Sequence, residues 1–331
     1  MTPLRQGFEG QEQLVRGENM PELPEVETIR RGLAKVIVGR KIVKFESRDA
    51  KVVRFDEKDI TGLKIEGIDR KAKMLVFELN GDKAILIHLK MTGQLIWEAC
   101  PGETEFCLKK MKSPSTPFDT AQGGSLRANQ RLAGGHPSPD WVAKLPNKHT
   151  RAIFSFDDKS VLFFNDVRRF GYLKLYKKSD LGHISELKKL GPEPFSKEFN
   201  TEYLIKRAER IPNRKIKQFI IDQEIISGVG NIYVDEALFY AGILPTRAVK
   251  DISKTEWQKI VKSIKKALEL GLKYGGSSED TYVDAFGNPG TMNDHTKVYR
   301  KKGQPCGKCG TKVERIVLGG RGTHFCPKCQ K

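Results

Sequence analysis

No apolar run in the chain approaches twenty residues, which excludes a helical membrane span. Cysteine is scarce, six in 331 residues. No positive stretch followed by an apolar core opens the sequence, so a secreted scaffold stapled by disulfides is not expected. Acidic residues are in deficit as well: 41 Asp and Glu face 59 Lys and Arg, a formal charge of +18. A surplus that large calls for a polyanionic partner, because phosphate contacts release condensed counterions and make binding steeply salt-dependent. A merely solvated basic surface is the plain alternative.

Four of the six cysteines stand together at the end of the chain. Cys306-Gly-Lys-Cys309 is followed by sixteen residues and then Cys326-Pro-Lys-Cys329. Two such knuckles can surround one Zn²⁺ tetrahedrally, in a closed structural site with no open position for catalysis. Val313 to Leu318 and Thr323 to Phe325 read as short strands joined through Gly319-Gly320, which makes the unit a zinc ribbon. So small a unit needs the metal's binding energy to fold. Cys100, Cys107, His136 and His149 have a spacing that fits no compact second site.

The length allows two domains and a small module, mixed α and β. Residues 1–19 are polar and aperiodic and read as a disordered leader. Residues 20–191 begin with an amphipathic helix, Glu25 to Val38, whose stripe is Val26, Ile29, Leu33 and Val36 or Ile37. Eight short strands follow, at Ile42–Phe45, Lys51–Phe55, Leu63–Ile68, Met74–Leu79, Ala84–Leu89, Arg151–Phe156, Val161–Asn165 and Gly171–Leu175. Together they predict a two-layer β-sandwich with a leading helix. The 100–148 stretch, rich in Pro, Gly and Ser, reads as a long inserted loop. Residues 192–275 turn helical, over Thr201–Glu209, Ile216–Ile220, Ile232–Ala241 and Lys254–Tyr274. Gly228-Val229-Gly230-Asn231 lies between two of these helices. That helix-two-turn-helix unit can lay backbone N–H groups against a phosphate, although such a turn can also be only a tight corner. Residues 276–303 are a glycine-rich connector before the ribbon, 304–331.

Several ordered motifs carry a resemblance. Met20-Pro21-Glu22-Leu23-Pro24-Glu25-Val26-Glu27-Thr28 with Arg30-Arg31-Gly32, Lys71-Ala72-Lys73, His88-Leu89-Lys90-Met91-Thr92-Gly93 and Asp166-Val167-Arg168-Arg169-Phe170-Gly171 begin the series. Leu190-Gly191-Pro192-Glu193-Pro194, Gly228 to Tyr233, Ala241 to Pro245 and the ribbon with Arg321 complete it. In this the chain resembles the bacterial formamidopyrimidine-DNA glycosylases from Met20 to Lys331, apart from the 100–148 insertion. The resemblance implies excision of oxidised purines, chiefly 8-oxoguanine and formamidopyrimidines, from damaged double-stranded DNA. Cleavage of the backbone at the abasic sugar would follow, with no catalytic metal, no membrane and no second subunit, in the cytoplasm at the nucleoid. It also implies that Pro21 is the nucleophile and Glu22 its acid/base partner. Lys73 and Arg321 would join them in the catalytic site as phosphate contacts. Lys217 and Asn231 would grip the backbone, and Met91, Arg168 and Phe170 would fill the void left by the extruded base. Glu25 would position the lesion nucleotide, unless it is only a capping carboxylate. The loop from Gly275 to Gly290 would cover the extruded base.

Elementary chemistry supports Pro21 independently. An amino-terminal amine has a reference pKa near 8 against about 10.4 for lysine, so at neutral pH its free-base fraction is roughly a hundredfold larger. A secondary amine attacking C1′ can expel the base and leave an iminium, which acidifies the C2′ proton for elimination. Joined to Met20, however, Pro21 nitrogen is an amide with a delocalised lone pair. The expectation is therefore that translation starts at Met20 and an aminopeptidase removes it. Three rivals stand beside this reading: an oxidised-pyrimidine glycosylase similar to endonuclease VIII, a non-catalytic zinc-ribbon DNA-binding protein, and a Mg²⁺-dependent zinc-ribbon nuclease. Leu23 and Val26 favour the purine branch over the first.

Overall fold

The computed structural model describes residues 20–99, 145–277 and 289–331, together with the backbone of 131–134. The expected leader, most of the insertion with Cys100, Cys107 and His136, and most of the Gly275–Gly290 loop lie outside the described residues.

Pro24 in the first turn and a capping box between Glu22 and Glu25 start helix α1, Leu23–Ile37. Gly39, at φ +88°, turns the chain out of it. The predicted stripe is buried: Val26, Ile29, Leu33 and Ile37 enter the first hydrophobic core. Leu23, at the head of the same helix, enters the second. One helix thus serves two cores.

The first core lies between two five-stranded sheets. Strands β1 (Ile42–Ser47), β2 (Val53–Arg54), β3 (Ile65–Lys71), β4 (Met74–Leu79) and β5 (Lys83–His88) come first in the chain. They are followed by β6 (Gly93–Glu98), β7 (Arg131–Gly134), β8 (Thr150–Phe156), β9 (Val161–Asp166) and β10 (Tyr172–Lys177). One sheet runs β1-β8-β9-β6-β7 and the other β2-β10-β5-β4-β3. In β8 the pattern alternates strictly between buried and half-buried positions, as a strand with one core face requires. In β4 and β5 both faces are covered. Leu75, Phe77 and Leu79 face the sandwich core, while Met74, Val76, Ala84 and Leu86 pack under the segment that carries Tyr176, Leu181, Ile184 and Leu187.

The structure corrects the eight-strand reading in two places. Strand β6 follows the Met91-Thr92-Gly93 motif without a break and pairs with β9 from Gly93↔Asp166 to Glu98↔Val161. Its first five residues are buried, so it carries no alternation to detect. Strand β7 lies inside the stretch read as a loop and pairs with β6.

Helix α2 (Ser185–Lys188) packs on the first domain, and the second is helical, with α3 (Thr201–Ala208), α4 (Ile216–Ile220), α5 (Asn231–Ala241), α6 (Lys254–Lys273) and α7 (Met292–His295). Trp257, Ile260, Ile264, Ala267 and Leu268 form the buried stripe of α6. The ribbon closes the chain with β11 (Glu314–Leu318) and β12 (Arg321–Phe325), turning at Gly319-Gly320 as expected. No helix among the described residues is long and apolar enough to cross a membrane.

A carboxylate joins the two domains. Glu193, from the Gly-Pro-Glu-Pro linker, accepts from both terminal nitrogens of Arg70 at 3.0 and 2.7 Å and from Ala72 N–H at 2.8 Å. Ala72 sits at φ +55°, unusual for a non-glycine residue. The bond to Glu193 stabilises that turn between β3 and β4, and the next residue in it is Lys73.

Candidate active site

Glu22 is 3% exposed. Its Oε1 accepts from Ile232 N–H at 2.9 Å, in the first turn of α5, where the helix presents unpaired N–H groups and the positive end of its dipole. Oε2 is buried without a hydrogen-bond partner. Burial raises the carboxyl pKa to about 7; Lys73 pulls it down, Glu25 pushes it up, and the backbone N–H groups of Ile232 and Gly230 lower it. At neutral pH it is therefore poised to give or take a proton. The fit depends on a glycine. A Cβ at Gly230 would sit 2.3 Å from Glu22 Cδ and 2.5 Å from its Oε1. Gly230→Ala is expected to push the carboxyl aside and cut single-turnover excision by about a hundredfold or more, as losing a positioned acid does. A rate within twofold of the parent would refute the placement.

Glu22, Lys73, Asn231 and Arg321 line one cavity of about 70 Å³ with Met20, Ile221, Gln223 and Gly230. Lys73 is nearly buried there, and burial depresses its pKa while Glu22 raises it. Asn231 is 4% exposed, and neither its Oδ1 nor its Nδ2 has a hydrogen-bond partner. An amide left open beside two cations and a helix N-terminus can receive a phosphate. Pro21 is buried behind Met20, which lines this cavity and a wider one of about 530 Å³. The wider cleft is bounded by Lys90, Met91, Arg169, Phe170 and Arg321. Arg168 contacts Met91 Sδ at 3.3 Å and lies 4.8 Å over the Phe170 ring, so the expected trio is gathered. Phe170 is 54% exposed, unusual for a phenylalanine.

Two residues expected to touch DNA are turned inward. Lys217 is 0% exposed; its Nζ lies 2.7 Å from Asp235 Oδ1 and donates to Gly322 O and Thr323 Oγ1, both at 2.9 Å. Burial pushes its pKa down and Asp235 pulls it back. It straps the ribbon to α5 and is not open to a phosphate. Asp235 completes the strap by accepting from His324 N–H at 2.8 Å. Glu25 is enclosed too. Its Oε2 accepts from Glu22 N–H at 2.9 Å, and its Oε1 from Tyr233 Oη at 2.7 Å and Ser277 N–H at 2.8 Å. It caps α1 and ties the helical domain to it, which is the plainer of its two expected roles.

Sequence reasoning missed Gln223. Its amide donates to Ile221 O and Val229 O and accepts from Gly228 N–H, bracing the Gly-Val-Gly turn beneath Glu22. Its only signal was a glutamine five residues before a glycine turn.

The four ribbon sulfurs lie within 4.8 Å of one another, with Cys306 to Cys329 at 3.9 Å and Cys309 to Cys326 at 3.5 Å. Tetrahedral Zn–S bonds of about 2.3 Å require sulfurs about 3.8 Å apart. The donor set fits, and it holds one structural Zn²⁺.

Comparison with known proteins agrees with this geometry. Residues 20–173 match the formamidopyrimidine-DNA glycosylase N-terminal domain and residues 190–283 the H2TH domain of the same enzymes. Residues 303–331 match the zinc finger found in FPG and IleRS. The chain is 37% identical over 317 residues to the formamidopyrimidine-DNA glycosylase of Streptococcus mutans, an alignment covering 94% of this chain and 100% of that protein. It is 36% identical over 318 residues to that of Bacillus licheniformis, with the same coverage. Among solved structures, a Lactococcus lactis FPG mutant in complex with Fapy-dG containing DNA superposes with a TM-score of 0.75 at 33% identity. That match covers 94% of this chain and all of the other. The L. lactis Fpg complex with abasic-site DNA gives the same score, covering 94% of this chain and 99% of that one. The sequence and the fold thus agree that this chain belongs to the formamidopyrimidine-DNA glycosylase family.

Proposed function

We propose that this chain excises oxidised purines, formamidopyrimidines and 8-oxoguanine, from duplex DNA and then cleaves the backbone at the abasic sugar. The observation that carries the reading is Glu22. It is a buried carboxyl with pKa near 7, next to Pro21, on a cavity with Lys73, Arg321 and the open amide of Asn231.

The active form begins at Pro21. The family match starts at residue 20, and the full length of the S. mutans relative falls on 94% of this chain, which supports a start at Met20, whose removal frees Pro21. The freed secondary amine attacks C1′ of the damaged nucleoside. The N–C1′ bond forms, the bond from C1′ to the base breaks, and the base leaves with a proton. Glu22 protonates the ring oxygen as the sugar opens, which leaves an iminium on Pro21. Loss of the C2′ proton expels the 3′ phosphate, a second elimination expels the 5′ phosphate, and hydrolysis returns the amine. Lys73, Arg321 and Asn231 hold the phosphates of the kinked strand, while Met91, Arg168 and Phe170 occupy the vacated stack. Substrate of this kind puts the enzyme on chromosomal DNA, in the nucleoid.

The test is single-turnover excision from duplexes carrying a formamidopyrimidine, 8-oxoguanine or an oxidised pyrimidine, in EDTA. Purine lesions are expected to be cut first, and preference for the pyrimidine would move the chain to the sister activity. The pH profile is a second check. Excision needs Glu22 protonated, so its rate falls as pH rises through about 7. It also needs the amine free, so the rate falls as pH drops below the amine pKa near 8. The expected profile is a bell between these values. A rate that climbs steadily to pH 9 would contradict the role of Glu22.

A further inference from the structure

The loop bearing Arg168 and Phe170 is held from below by two carboxylates. Asp166 accepts from Gly171 N–H at 2.7 Å and from the Thr92 hydroxyl, and Thr92 Oγ1 in turn accepts from Arg168 N–H at 3.1 Å. That hold joins the loop to the strand after Met91 and lies within motifs already recognised. The other carboxylate comes from outside them. Asp49, in the turn between β1 and β2, is 8% exposed and accepts from Arg169 Nε at 2.5 Å and Nη2 at 3.0 Å.

Asp49 is well placed to act as a fixed point. Its Oδ1 accepts from Lys51 N–H, and its carbonyl accepts from Val52 and Val53 N–H, so the turn that bears it is closed on itself. The turn takes up Lys51 and Val52, so β2 begins only at Val53. Arg151 bridges the two supports, with Nε 3.8 Å from Asp49 Oδ2 and donating to Asp166 O at 2.8 Å. Arg169, itself exposed, stands between Arg168 and Phe170 and has φ +58°. A non-glycine residue rarely holds that conformation without help. A bidentate guanidinium–carboxylate pair is the geometrically specific kind of help. The guanidinium in turn holds Asp49 below the usual carboxylate range.

We propose that Asp49 is a positioning residue for the void-filling loop: by clamping Arg169 it sets the stance of Arg168 and Phe170, and with it the discrimination of the base opposite the lesion. Arg169 borders the wide cleft, but the clamp directs its charge to Asp49. This inference rests on the reading of Met91, Arg168 and Phe170 as the residues that replace the extruded base.

The experiment compares the whole chain starting at Pro21 with its Asp49→Asn, Asp49→Glu and Phe170→Ala variants. Single-turnover rates are measured for the lesion opposite each of the four bases, and for a preformed abasic site, where no base has to be pulled from the stack. For Asp49→Asn, the spread of rates across opposite bases is expected to shrink about tenfold. Cleavage at the abasic site should stay within about twofold of the parent, and Asp49→Glu should recover part of the spread. If the parent itself shows no excision, the functional reading falls. If Phe170→Ala loses the discrimination and Asp49→Asn keeps it, the reading stands and the Asp49 assignment falls. A uniform loss on both substrates with a lowered melting temperature would mean that Asp49 only supports the fold, which also overturns the proposal.

Discussion

Borohydride is expected to capture a covalent adduct between lesion DNA and the form of the chain that begins at Pro21, and none from a form in which Met20 remains attached. The contrast is electronic first. An amide nitrogen shares its lone pair with the carbonyl and cannot attack C1′, whereas a free proline amine is substantially unprotonated at neutral pH. It is steric as well, because Met20 lines both the narrow cavity beside Glu22 and the wide cleft next to it. A difference of at least about a thousandfold in trapping rate, equivalent to about 4 kcal/mol, is expected. Efficient trapping by the Met20-bearing form, identified by intact mass, would remove Pro21 as the nucleophile. Complete failure of the Pro21-initiated form would favour a DNA-binding protein without catalysis.

Cys326→Ser is expected to release the zinc and with it tight DNA binding. The ribbon consists of one two-stranded hairpin, which cannot stand without the ion, and structural zinc contributes on the order of 10 kcal/mol or more to such units. The damage does not stop there. Unfolding β12 strips Lys217 of Gly322 O and Thr323 Oγ1, deprives Asp235 of His324, and frees Arg321 from the cavity wall. The Lys217–Asp235 pair itself stays within the helical domain, but it loses hydrogen bonds to charged groups, each worth about 1.5–3 kcal/mol, so the helical domain should lose melting temperature along with the ribbon. Native mass spectrometry, calorimetry and a gel shift on lesion DNA test the three parts. A variant that keeps one zinc per chain, or binds DNA as tightly as the parent, would show that the site was misread.

What could be read from the sequence was whatever depends on local spacing. The stripe of α1, the strand at Thr150–Phe156, the glycine turns and the cysteine knuckles each announce themselves within a few residues. The gathering of Glu22, Lys73, Asn231 and Arg321 on one cavity is long-range, and only the resemblance to a family anticipated it. The failures share a physical cause. Strand β6 is buried on both faces and so has no period of two to find. Lys217 looks in the sequence like any cation of a basic protein. Its partners are 18 residues away, at Asp235, and more than 100 away, at Gly322 and Thr323, and no local pattern encodes a buried pair. Glu25 was ambiguous for the same reason. Its cap on Glu22 is local and legible, but its bonds to Tyr233 and Ser277 span more than 200 residues. Asp49 belongs to no motif, and nothing in its neighbourhood of the sequence marks it as the partner of Arg169.

The bond from Ile232 N–H to Glu22 joins residues 210 positions apart, so the carboxyl proposed as the acid is seated by a part of the chain synthesised long after it. A ribosome presents Pro21 and Glu22 while the turn that seats Glu22 is still untranslated. The strap from Lys217 is completed later still, at Gly322 and Thr323. On the proposed mechanism, chains cut short before that turn carry Pro21 without a seated Glu22 beside it. The proposed chemistry therefore waits on the second domain and is not available to the first domain alone.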